Sequence, residues 1–238
     1  MNLNKRFKYF DTVDDLKKFK FTNVFDLSAQ SLHKKILDEI KSGYDCIQLF
    51  HSTRVPDPDV FYDQGIKRMS PANLADLVAP LWPEFNSTEI VAAIWESVKD
   101  TQPDETISTF RGNTICCCAM REVFFRDQCE FLKGGSELLR VAANKLQNSI
   151  QNNEDVCNLK TRILNWTPAI VRIAVPIENI CENTIHGLID SMIIVIEEAR
   201  ISKKNLPVGT MCYANQTFNF YEDIPKEWIV NIEPNPKN

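Results

Sequence analysis

The chain has 238 residues, 44% hydrophobic and 25% charged, and a formal net charge of −5. These values fit a folding chain with enough apolar material for one full core, and they argue against a disordered or membrane-embedded protein. The acidic balance also argues against a surface built for non-specific nucleic-acid backbones, because that affinity comes from Lys and Arg displacing counterions.

The basic start, residues 1–8, is followed by no apolar run of signal-peptide length, and no stretch approaches a membrane span. A cytoplasmic protein with no membrane partner is the expectation. We expect a single domain over 1–238, with a helical lead-in over 1–43 and a frayed tail over 233–238.

Residues 28–41 place Leu32, Ile36, Leu37 and Ile40 at helical spacing, with Gly43 positioned as a left-handed stop. The run Cys46-Ile47-Gln48-Leu49-Phe50-His51 is short and β-prone, and reads as a strand carrying His51 to its C-terminal end. Asp57 and Pro58 then give a cap and a first helical position for a short helix closing on Gly65. Ser70-Pro71 repeats that signature, and Asn86 with Glu89 forms a capping box, so residues 57–99 should be mostly helical.

Further on, residues 114–120 read as a buried strand, and Ser136 caps a helix running through Leu146. Residues 147–155 read as a surface loop. Ala169-Ile170-Val171-Arg172-Ile173-Ala174-Val175, ending at Pro176, is a second central strand. Residues 182–200 form a helix with Ile185, Leu188, Ile189, Met192, Ile193 and Ile196 along one side. Strands over 217–221 and 228–232 flank the acidic turn Glu222-Asp223-Ile224-Pro225. The expected fold is α+β, with a mixed central sheet of about five strands surrounded by about six helices.

The chain holds eight cysteines, Cys116, Cys117 and Cys118 being adjacent and the rest scattered, and three histidines, His33, His51 and His186. No CxxC is present, so structural zinc lacks its paired spacing. Buried free thiols and no metal are expected. Nucleophile-elbow, P-loop, dinucleotide and zinc-protease motifs are absent as well.

One segment is chemically loaded. Leu49-Phe50-His51-Ser52-Thr53-Arg54, followed by Phe61-Tyr62-Asp63-Gln64-Gly65-Ile66, resembles the opening motif of the ADP-ribosyltransferase superfamily, over about a tenth of the chain. That superfamily includes poly-ADP-ribose polymerases, protein- and DNA-modifying bacterial toxins and RNA 2′-phosphotransferases. The resemblance implies the superfamily's fold, NAD as substrate, and ADP-ribose transfer to a protein or nucleic-acid acceptor, in a setting such as bacterial toxin or phage-defence biology. It also implies that His51 bonds a ribose hydroxyl and Thr53 orients the nicotinamide side, with Ser52, Arg54 and Tyr62 completing the binding set.

Cleavage of the nicotinamide glycosidic bond passes through an oxocarbenium-like state and needs a carboxylate beside the developing charge. Glu222, Glu137 and Glu227 are the candidates. Glu137 stands after Gly134-Gly135-Ser136, whose backbone N–H groups suit a pyrophosphate. The family pattern also expects an aromatic from the central strands to stack on nicotinamide, and the strand over residues 114–120 offers none, with Phe124 and Phe125 only following it. Two other readings stay open: an interaction module anchored by Trp82, Trp95 or Trp228, and a nucleic-acid-directed enzyme using Arg54, Lys67 and Arg68 on phosphates.

Overall fold

The computed structural model describes residues 8–12, 28–101, 114–125, 132, 136–149, 159–202 and 217–236. They form a mixed α+β structure around a six-stranded sheet. Its strands are β1 (Tyr9–Phe10), β2 (Cys46–Val55), β3 (Ile115–Cys118), β4 (Thr167–Pro176), β5 (Thr217–Phe220) and β6 (Ile229–Pro234). The order is β5-β3-β2-β4-β6, and all of these neighbours are antiparallel. β1 adds a short parallel pairing at the start of β2, Tyr9 opposite Cys46. A two-residue strand leaves no periodic trace in sequence, so β1 was not expected.

β2 runs four residues past the expected end. All ten of its residues pair with β4, from Cys46 opposite Pro176 to Val55 opposite Thr167. The β-branched Thr53 and Val55 suit this extension. His51 is therefore a mid-strand residue opposite Val171, not the last residue of a strand.

Seven α-helices flank the sheet among the described residues: α1 (Ala29–Gly43), α2 (Val60–Gln64), α3 (Pro71–Val78), α4 (Ser87–Thr101), α5 (Glu137–Ser149), α6 (Leu159–Leu164) and α7 (Glu182–Ser202). The local signals held where a side chain caps its own helix. Ser70 Oγ accepts from Asn73 N, and Asn86 and Glu89 exchange both bonds of a capping box; Ser28 Oγ, not singled out from sequence, likewise accepts from Ser31 N. Asp57 acts one step earlier than expected, its carboxylate accepting from Asp59 N in an Asx turn ahead of α2. Gly43 ends α1 without a positive φ, whereas Gly65 does adopt one, 72°. Helix α6 had no counterpart in the sequence reading, and Gly112, Gly134 and Gly135 lie outside the described residues.

Two apolar clusters form. The first joins β2, β4 and neighbouring strands to α1 through Leu32, Ile36 and Ile40, and to α7 through Ile185, Leu188, Ile189, Met192 and Ile196. The second is helical and gathers α3, α4, α5 and α6 around the fully buried Trp82, with Trp166 at its edge. Trp82 donates its indole N–H to Leu159 O, so it is a core residue and not a surface anchor. Trp228 is half-buried against the first cluster. Of the tail expected to fray, Glu233 and Pro234 belong to β6 and Asn235 N donates to Pro168 O, while residues 237–238 lie outside the described residues. No described helix is long and apolar enough to cross a membrane.

Candidate functional site

Alternation along β2 divides the loaded segment between two faces. Ile47, Leu49, His51, Thr53 and Val55 share one face; Cys46, Gln48, Phe50, Ser52 and Arg54 share the other. Ile47 and Leu49 are fully buried in the first cluster, and beyond them His51 and Thr53 are half-exposed. Of the five residues expected to bind a nucleotide, His51 and Thr53 share this face, Ser52 and Arg54 share the other, and Tyr62 lies on α2. Ser52 is buried on the opposite face.

Arg54 is committed to the fold. Its Nε donates to Leu132 O and its Nη1 donates to both Leu164 O and Trp166 O, each at 2.6 Å. These carbonyls precede β4 or lie on the segment before α5, so Arg54 clamps the sheet to the helical cluster instead of facing a ligand. Tyr62 is 46% exposed, but its hydroxyl accepts from Ile232 N on β6 at 3.1 Å.

His51 Nδ1 lies 2.9 Å from Cys116 O. A carbonyl only accepts, so the ring carries its proton on Nδ1, and in the neutral form Nε2 keeps a free lone pair. Burial pulls the His51 pKa below its ordinary value, and the Cys116 carbonyl partly opposes that shift. No carboxylate contributes to the shift, and among the described residues none lies within ion-pair distance of the ring.

A pH prediction follows from the lowered value. The unfolded chain takes up a proton on His51 at higher pH than the folded chain does, so stability is complete above about 6.5 and falls as the pH drops through the folded pKa. Urea unfolding at pH 7.5 and 5.5 should show a larger loss for the natural chain than for His51→Gln. Equal losses would mean that this ring titrates normally.

The three candidate acids are dispersed. Glu137 opens α5, whose Leu139, Ala142, Ala143 and Leu146 belong to the helical cluster. Glu227 is exposed in the 3-10 turn Lys226–Trp228, ahead of β6. Glu222 is exposed just after β5. Phe220 pairs with Ile115 and Phe50 with Cys118, so the end of β5 is level with Thr53, at the end of the sheet toward which β2 runs.

Next to Glu222, Asp223 accepts from Arg68 N at 2.9 Å and pairs with Lys67 Nζ at 3.2 Å. These bonds hold its carboxyl below the usual aspartate range. Asp223 thus offsets one of the two positive charges of Lys67 and Arg68, the Arg68 Nε standing 3.9 Å from it, which weakens but does not remove their candidacy as phosphate contacts. The residue that anchors this turn, Asp223, was not singled out from sequence; only the return of chain 221–224 to Ile66–Arg68 reveals it.

The cysteine strand is less uniform than expected. Cys117 and Cys118 are buried, and burial raises the Cys117 thiol well above its ordinary value. Cys116 is exposed and donates its thiol to Asn219 Oδ1 at 3.1 Å. Cys46, buried beside Asp45 and Glu178, is pushed up to about 11. No protein-family model, curated protein or solved structure matches the chain.

Proposed function

We propose that the chain binds an NAD-type dinucleotide on the strand face that carries His51 and Thr53, and transfers ADP-ribose to a protein or nucleic-acid acceptor. The carrying observation is the bond from His51 Nδ1 to Cys116 O, which fixes the ring and leaves Nε2 to accept a ribose hydroxyl. Thr53 stands two residues along the same face; its hydroxyl reaches Arg54 O only at 3.5 Å, so it stays usable. The resemblance of the His51 to Ile66 segment to the ADP-ribosyltransferases supplies the reaction.

In that reaction the C1′–N bond breaks and its electron pair leaves with nicotinamide. The acceptor nucleophile forms the new bond to C1′ and releases its proton. Glu222 is the carboxylate assigned to stabilise the developing charge, because it stands at the sheet end toward which His51 and Thr53 lead. NAD should raise the unfolding midpoint through ligand linkage, and His51→Ala should remove that rise. Glu222→Gln should keep the rise and lose nicotinamide release, followed by chromatography. No NAD-dependent rise in the natural chain sinks the reading.

A second reading is a non-enzymatic interaction module. It is favoured by the lack of any described acid against the His51 ring and by the structural use of Arg54. NAD binding without nicotinamide release under every acceptor condition would favour it.

A further inference from the structure

The chain's other two histidines meet at the α1–α7 contact, far apart in sequence and away from β2. His33 Nε2 and His186 Nδ1 stand 3.3 Å apart, and Asp190 Oδ1 lies 3.4 Å from the same His33 nitrogen. The rings are within 12° of parallel with centroids 5.0 Å apart. The nitrogens are closer than the centroids, so the near-parallel rings are offset, with these two nitrogens at their nearest corners.

A proton and a metal ion compete for this arrangement. A proton on His33 Nε2 is divided between two acceptors, the carboxylate and His186 Nδ1. A proton on His186 Nδ1 instead leaves the bare His33 nitrogen facing a carboxylate oxygen, lone pair against lone pair. A single cation between them meets all three lone pairs at once. Two imidazole nitrogens held at about 2.0–2.1 Å around a tetrahedral ion stand roughly 3.3 Å apart, the spacing found here.

The surroundings suit an ion as well. Glu182 Oε1 lies 4.0 Å from Nε2 of His186, the nitrogen turned away from His33, beyond hydrogen-bond reach but on the side from which an outer carboxylate would orient a ligating ring. The same oxygen is anchored by Lys41 Nζ at 2.6 Å. Among the described residues no three His, Cys, Asp or Glu side chains are placed to hold a metal ion as they stand, so Asp190 has to move to complete the set. Asp190 is 66% exposed and therefore free to turn inward.

We infer that His33 and His186 form a two-histidine site for a late first-row divalent metal ion, with Asp190 as third ligand and water in the remaining position. The ion would tie α1 to α7, the two helices packed with β2 and β4 in the first cluster. Imidazole and carboxylate donors suit zinc, nickel or copper better than calcium or magnesium.

The test titrates chelator-treated full chain with Ni²⁺ alone, following heat of binding and the unfolding midpoint. One equivalent should bind and raise the midpoint. His33→Gln and His186→Gln should each lose both effects while melting like the metal-free natural chain. Both histidines are partly exposed, so neither change disrupts the core. Cys116 and Cys181 are exposed thiols, so a double Cys→Ser variant at these positions is the control and should keep both effects. Absence of saturable binding overturns the site, as does binding that survives both histidine variants or is lost only with the thiols. NAD plays no part in any arm, so this result stands apart from the proposed transferase activity.

Discussion

Arg54→Met should destabilise the chain by about 3 kcal/mol or more, because one change leaves three carbonyls without their charged donor in a partly buried seam. The donors reach Leu132 O, Leu164 O and Trp166 O at 2.6 Å. Methionine keeps the apolar stem, so the loss reports hydrogen bonds and charge, not packing. Arg54→Lys should recover only part, since a single ammonium cannot reproduce a fork that serves carbonyls on two sides. Chemical denaturation gives the magnitude, and a loss under about 1 kcal/mol would show that water replaces the guanidinium easily.

The same variant should also uncouple the two clusters. Trp82 and Trp166 belong to the helical cluster, and Trp95 lies on α4, whose Ile90, Ala93 and Ile94 also belong to it. Tryptophan fluorescence therefore reports mainly on that side, while far-UV dichroism reports on both. In the natural chain the two signals should change together. In Arg54→Met the fluorescence change should come first, because the guanidinium bonds from β2 to Leu164 O and Trp166 O are gone.

The fate of Arg54 also shows where sequence reading stops. Ser70 with Pro71, and Asn86 with Glu89, were legible because each cap acts within three residues of itself. The central strands and α7 were legible from apolar runs and helical spacing. Arg54, by contrast, finds its acceptors 78, 110 and 112 positions away, and nothing local marks it as structural. The length of β2 was underestimated for a related reason: Thr53 and Arg54 look polar, and it is pairing with Ala169 and Pro168 on β4 that keeps them in the strand. Strands β5 and β6 flank one turn in sequence yet stand at opposite edges of the sheet, an outcome fixed by partners elsewhere. The imidazoles of His33 and His186 are separated by 153 positions, so no ligand spacing announced them.

Gly65 was legible as a helix stop, but its larger role lies in a close approach that only the folded chain reveals. Its backbone takes φ 72° and ψ −164°, a region open essentially to glycine alone. A Cβ there would fall 2.1 Å from Ile224 O, 2.8 Å from Lys226 N and 3.0 Å from Pro225 C. All three are backbone atoms of the crossing between β5 and β6, so no side chain can swing aside. Ile66 and Ile224 exchange both backbone bonds at that point, 3.0 and 2.9 Å.

Gly65→Ala should therefore cost about 3 kcal/mol or more, combining a forbidden conformation with loss of the bridge. Gly187→Ala is the matched control: its Cβ meets nothing within 4 Å, and it lies inside α7. There the same methyl should stabilise the chain by roughly 0.5–1 kcal/mol, as a helical glycine is relieved of its entropy cost. Opposite signs from one chemical change separate the backbone effect from any general tolerance of alanine. Because the Ile66–Ile224 bridge also sets the turn holding Glu222 and Asp223, Gly65→Ala should abolish nicotinamide release even below its unfolding temperature, if Glu222 supplies the carboxylate. Release that persists in a folded Gly65→Ala chain would move the catalytic acid away from this turn.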